Sequence, residues 1–204
     1  MKKPVIDKTK SYTFFDYFKM NADNEAMLAS FGYSFAMGNP VLPRTARVLD
    51  QIDDLRSRIE ESRPYVSITN EAARREFLIA PVLMQLVHYT KAKVKVEYPI
   101  VVSDQLQGSL DYYLESKQNL LIVEAKNEDL ERGFKQLAVE LIAMDEWSDS
   151  PSDKLYGAVS IGRIWQFGIL ERGRKHITQD LGLYVVPDDL SDLLSILVAI
   201  LNGE

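Results

Sequence analysis

Cysteine is absent from the 204 residues, which excludes a disulfide framework and any thiolate metal site. The two histidines, His88 and His176, are too few and too far apart for a zinc cluster of the usual spacing. Long hydrophobic runs are missing as well: the most apolar stretch, 193–201, has nine residues, whereas a membrane-spanning helix needs about 20. The amino end, Met1-Lys-Lys-Pro-Val-Ile-Asp-Lys, lacks the apolar segment of a secretory signal because Asp7 and Lys8 interrupt it. These absences lead us to expect no membrane association and a reducing, cytoplasmic setting. Positive charge is scarce too. With 24 Lys plus Arg against 30 Asp plus Glu, the net charge is -6, so general polyanion binding is not expected and any nucleic acid has to meet a local basic surface. What is present, 46% apolar and 26% charged residues, suits one compact domain with an appendage, and the order of helices and strands along the chain makes it α/β.

Residues 1–66 carry helix-like patches separated by Gly38-Asn39-Pro40, and we expect a helical N-terminal appendage there, with the main domain at 67–204. Val48, Ile52, Leu55 and Ile59 share one face of an amphipathic helix within 45–62, which Arg63-Pro64 stops. From Thr69 or Asn70, either able to cap, a helix runs to about His88 with Ile79, Val82, Leu83 and Leu86 as its apolar stripe, bent at Pro81. Strict alternation over 91–100 predicts a strand, a second is expected near 110–114, and residues 115–119 make a turn. Leu120 to Ala125 is apolar on both faces until Glu124, as in a central strand covered on each side. A helix over about 129–146 buries Leu130, Phe134, Leu137, Leu141 and Met144, strands follow at 155–161, 164–170 and 183–186, and a last helix ends near Leu201.

The chemistry concentrates in Gly108-Ser-Leu-Asp111-Tyr, Leu120-Leu-Ile-Val-Glu124-Ala-Lys126, and Gln136 in the helix beyond. Strand alternation sends Glu124 and Lys126 to one side, and a hairpin through 115–119 brings Asp111 beside them. Two hard oxygen ligands at the end of an apolar strand form a costly negative pocket. A divalent cation neutralises it, acidifies a water and stabilises charge on a phosphoryl oxygen, while Lys126 orients that water.

Asp111 followed by Glu124-Ala-Lys126 resembles the bipartite signature of the PD-(D/E)XK nuclease superfamily. Asn70-Glu71-Ala-Ala-Arg74 leading into Leu78-Ile79-Ala-Pro81, Glu97-Tyr-Pro-Ile and Gly162-Arg-Ile-Trp165-Gln-Phe167 are similar to nuclease domains of the type I restriction kind. The resemblance implies a restriction-endonuclease-like core, a mixed central β-sheet flanked by helices. It also implies Asp111 and Glu124 as ligands of Mg²⁺ or Mn²⁺, Lys126 as the catalytic lysine, Glu71 as a third acidic ligand, and Gln136 as a supporting residue. Leu110 stands where the family's eponymous proline would be. Glu76 rivals Glu71, since both flank the apolar stripe equally, and the family spacing favours Glu71. The activity expected is DNA endonuclease, with RNA equally compatible with the residues. Sequence choice would have to come from the appendage, a homodimer or a partner protein. The alternative is a non-catalytic binding module that keeps the fold.

Other features carry bland readings. Lys91, Lys93 and Lys95 suit protection of an edge strand as well as a phosphate track. Arg172, Arg174, Lys175 and His176 suit a solvated turn or a DNA-contacting loop. Gly157-Ala-Val-Ser-Ile-Gly162-Arg163 lacks the Lys and Ser or Thr of a phosphate loop and is rejected as a nucleotide site.

Overall fold

The computed structural model describes residues 5–117, 119–126 and 128–204; Met1 to Pro4 and Gln118 of the expected turn lie outside these described residues. Among them, eight strands form one mixed sheet: β1 (Ser34–Gly38), β2 (Lys93–Ser103), β3 (Leu106–Glu115), β4 (Leu120–Ala125), β5 (Lys154–Ser160), β6 (Ile164–Glu171), β7 (His176–Asp180) and β8 (Tyr184–Val185). The order across the sheet is β1-β7-β6-β5-β4-β3-β2, with β8 beside β6. Pairs β1–β7 and β4–β5 are parallel and the others antiparallel. The helices are α1 (Phe14–Lys19), α2 (Asn24–Ala29), α3 (Ile52–Ser62), α4 (Glu71–Arg74), α5 (Ala80–Thr90), α6 (Leu130–Trp147) and α7 (Leu190–Asn202). No described helix is long and apolar enough to cross a membrane.

All six residues of β4 are buried, as its unbroken apolar run predicts for a central strand. A parallel partner requires a crossover, and α6 supplies it between β4 and β5. The sheet separates two cores. Leu121, Val123 and Ala125 pack with α3, α5 and α7 on one face, while Leu120 and Ile122 pack with α1, α2 and α6 on the other.

Asn70 caps the helix that precedes β2, its side chain accepting from Ala73 N–H at 2.8 Å. Pro81 has no N–H to give the carbonyl four residues back, so the chain widens into a π turn over Arg75–Ile79, and Ala80 N–H reaches Arg75 O.

Several expectations need correction. Residues 5–66 are not a separate helical appendage: β1 joins the sheet beside β7, and Phe14, Tyr17, Met27, Leu28 and Tyr33 enter the core on the α6 side. The helix in the 45–62 stretch begins only at Ile52, after Gln51 with φ 63°, and Val48 is 89% exposed instead of sharing its buried face. A strand that its polar composition concealed, β7, begins only at His176, and the basic cluster before it forms the expected turn, a 3-10 turn over Arg172–Arg174. Arg172 within it is a structural anchor, with Nε donating to Asp145 Oδ1 at 2.6 Å and Nη2 to Asp145 O at 3.0 Å. The strand of Lys93 and Lys95 ends one side of the sheet, where lysines discourage intermolecular pairing.

Candidate active site

The antiparallel register of β3 and β4 sets Tyr112 opposite Val123, so the next step outward brings Asp111 level with Glu124. Asp111 thus lies in the second half of β3 rather than near its start, where we expected it. Its Oδ2 accepts from Ala125 N–H at 2.8 Å, which ties the carboxylate to β4. Along β4, Leu120 and Ile122 face α6, and alternation places Glu124 on the same side. Glu124 is 0% exposed. Its Oε1 accepts from the Lys126 ammonium and from Gln136 Nε2, the latter at 2.7 Å.

Gln136 Nε2 also donates to Glu140 Oε1 at 2.8 Å, so one amide links two buried carboxyl groups. Lys126 is anchored through its backbone, N–H to Ser160 O at 2.8 Å. Its aliphatic stem passes over Gly133 of α6, where an added Cβ would lie 3.1 Å from Lys126 Cγ and 2.6 Å from Val159 Cγ2. That close approach is why a glycine stands inside an otherwise good helix.

The helix before β2 approaches from the other layer. Arg75 Nη1 lies 2.5 Å from Glu97 Oε1 and 3.6 Å from Asp111 Oδ1, with the guanidinium 5.1 Å from the centroid of the Tyr112 ring. Glu97 itself falls opposite Asp111 between the pairs Val96–Tyr112 and Tyr98–Leu110, and it holds φ at 51°, a left-handed conformation that costs about 1 kcal/mol or more in a non-glycine residue. A cleft of about 440 Å³ opens here between Glu71, Arg75, Glu76, Val96 and Tyr112. Glu71 is half-buried and senses the charges of Lys126 and Asp111, whereas Glu76 is exposed. That separates two glutamates that an ideal helical wheel treats as equivalent.

Burial pushes the Glu124 carboxyl well above its ordinary range, and the neighbouring charges of Glu140 and Asp111 add to the rise against the opposing pull of Lys126. Glu140 is pushed up to about 8, mainly by burial, with Gln136 opposing. The two behave as a pair that retains a proton at neutral pH. Burial pulls Lys126 down, but Glu124 and Asp111 outweigh it and leave its pKa raised, so it stands as an ammonium. Glu71 is raised, chiefly by burial.

Asp111, Glu124, Lys126 and Gln136 are therefore brought together, with Glu71 at the margin. Among the described residues no group of three or more His, Asp or Glu side chains is arranged to hold a metal ion, so the expected trio of Asp111, Glu124 and Glu71 is not gathered as one cage. The donors do fit a sparser site. Among the described residues Glu124 Oε2, Gln136 Oε1 and Glu140 Oε2 are buried without hydrogen-bond partners, and Mg²⁺ or Mn²⁺ needs only one or two carboxylates, with water and phosphate completing its shell.

Sequence reasoning missed Glu140 and Arg75. A signal existed for each: Glu140 follows Gln136 by four residues and Arg75 follows Glu71 by four, the spacing of neighbours on one helix face. Comparison with protein-family models, with curated proteins and with solved structures gives no significant match.

Proposed function

We propose that this protein hydrolyses phosphodiester bonds of nucleic acid, DNA foremost, with Mg²⁺ or Mn²⁺ held by Asp111 and Glu124 in a restriction-endonuclease-like core. The observation that carries the reading is the Glu124–Lys126 ion pair buried at the end of a central strand, beside Asp111. Burying such a pair is a poor way to stabilise a fold, and buried charges with shifted protonation gather at functional sites.

The chain's own groups have distinct tasks. Gln136 and Ala125 N–H fix the carboxylates of Glu124 and Asp111. A cation bound there supplies charge stabilisation and a more acidic water. The Lys126 ammonium and the Arg75 guanidinium offset the negative charge that grows on the phosphoryl oxygens as the water oxygen joins phosphorus and the bond to the leaving sugar oxygen breaks. Arg75 already lies within 3.6 Å of Asp111, and its planar fork suits phosphate.

Incubation with linear, circular and single-stranded DNA and with RNA, in Mg²⁺ or Mn²⁺, beside Lys126→Ala and Asp111→Asn, tests this. Cleavage by the wild-type chain that both substitutions abolish is the expected result. Cleavage surviving both removes the mechanism. Inactivity of all three proteins on every substrate favours a non-catalytic binding module or an obligatory partner subunit.

A further inference from the structure

Helix α1 carries two aromatic pairs, each spaced by three residues. Phe14 and Tyr17 are buried. They dock the helix: Phe14 Cδ2 lies 2.8 Å from where a Cβ on Gly108 would sit, a position with φ 147° that glycine accommodates, and Tyr17 Oη donates to Gln105 O at 2.7 Å. Phe15 and Phe18 form the second pair on a neighbouring face. Their rings are nearly parallel, 9° apart in tilt with centroids 5.9 Å apart, and Phe15 is 51% exposed. Docking is complete without them, and an apolar face left in water costs free energy.

Their neighbours give the pair a purpose. Lys126 Nζ lies 5.3 Å from the Phe18 centroid and 6.0 Å from the Phe15 centroid, and Lys19 Nζ lies 4.2 Å from the Phe15 ring. A stacked, partly exposed aromatic surface thus stands beside the buried ion pair, with a second cation, the exposed Lys19, over the Phe15 ring.

We infer that Phe15 and Phe18 form a stacking shelf for an unpaired nucleobase next to the bond that is cut, so that the substrate is nucleic acid that is single-stranded at that point. The inference rests on the phosphodiesterase reading and names its substrate class. Within a duplex both faces of a base are covered by its neighbours, so a protein ring can stack only on a base that is unpaired or extruded. Phenyl rings have no hydrogen-bonding edge, and stacking on them tolerates any base. The exposed Lys19, whose ammonium covers the Phe15 ring, is the cation a base would displace toward a neighbouring phosphate.

The test measures oligonucleotide binding in EDTA, where cleavage cannot intervene, with fluorescent single-stranded and duplex DNA and single-stranded RNA of equal length. Phe15→Ala is expected to weaken single-stranded binding about tenfold, the size of one lost stacked base, while duplex binding changes much less. Phe15→Trp is expected to restore binding and to show tryptophan quenching when a single strand, of either sugar, is added. The thermal midpoint of each variant checks folding. Equal weakening on single strand and duplex, or no weakening on either, overturns the shelf while leaving hydrolysis standing if the wild-type chain still cuts in Mg²⁺. Failure of every oligonucleotide to bind or be cut removes the shelf together with the reading beneath it.

Discussion

The two faces of β4 are equally buried and opposite in character. On one side Leu121, Val123 and Ala125 pack against an apolar layer; on the other, Leu120 and Ile122 begin the same way, but Glu124 follows and meets Lys126, Gln136 and Glu140. The apolar side needs no explanation beyond the hydrophobic effect. The charged side costs desolvation free energy and, among the described residues, leaves oxygens unpartnered. One strand therefore separates what holds the fold from what the fold holds in place.

Substitutions on the two faces should part company. On the proposed function, Lys126→Ala is expected to lower phosphodiester cleavage by about a thousandfold, read as kcat/KM on labelled DNA, since it removes the charge proposed to offset that of the phosphate. Ile122→Ala, two residues earlier on the same face, should instead cost about 3 kcal/mol in denaturant unfolding, with cleavage per folded molecule retained.

Glu140→Gln should act in the opposite direction on stability. A carboxyl whose folded pKa stands at about 8 binds more protons folded than unfolded, so its contribution is intact below the ordinary pKa near 4.5 and is lost as pH rises through 8. Wild-type stability should therefore fall between pH 5 and 8 by an amount on the order of 3 kcal/mol, and the substitution should flatten that slope. A slope unchanged by Glu140→Gln would show that the proton is not held there. The smallest effect belongs to the surface: Arg132→Ala breaks an exposed ion pair with Asp129 and should shift unfolding by less than about 0.5 kcal/mol.

The sequence reveals the two regions unevenly, for physical reasons. The run 120–125 and the stripe of α6 are legible because apolar burial writes its own period. Glu124 and Lys126 are legible because charge at the end of such a run is out of place, Asp111 follows from the hairpin that precedes it, and Gln136 is legible mainly through the family resemblance. β7 is hidden, since Gln179 and Asp180 are buried polar residues and hydrophobicity cannot report them. β1 is hidden as a short, half-exposed edge strand whose partner lies far along the chain. Arg75 escapes because an arginine off the apolar stripe reads as a solvated helix residue until it is paired with Glu71 four residues earlier. Glu140 escapes because α6 is buried from Gly133 to Met144, on all sides rather than along one stripe.

Soaking crystals in Mn²⁺ and locating the ion by its anomalous scattering tests the central claim most directly. The account expects a peak between the carboxylates of Asp111 and Glu124 that disappears in Asp111→Asn. A peak elsewhere, or none at that position in a protein that still cleaves DNA in Mn²⁺, would contradict it.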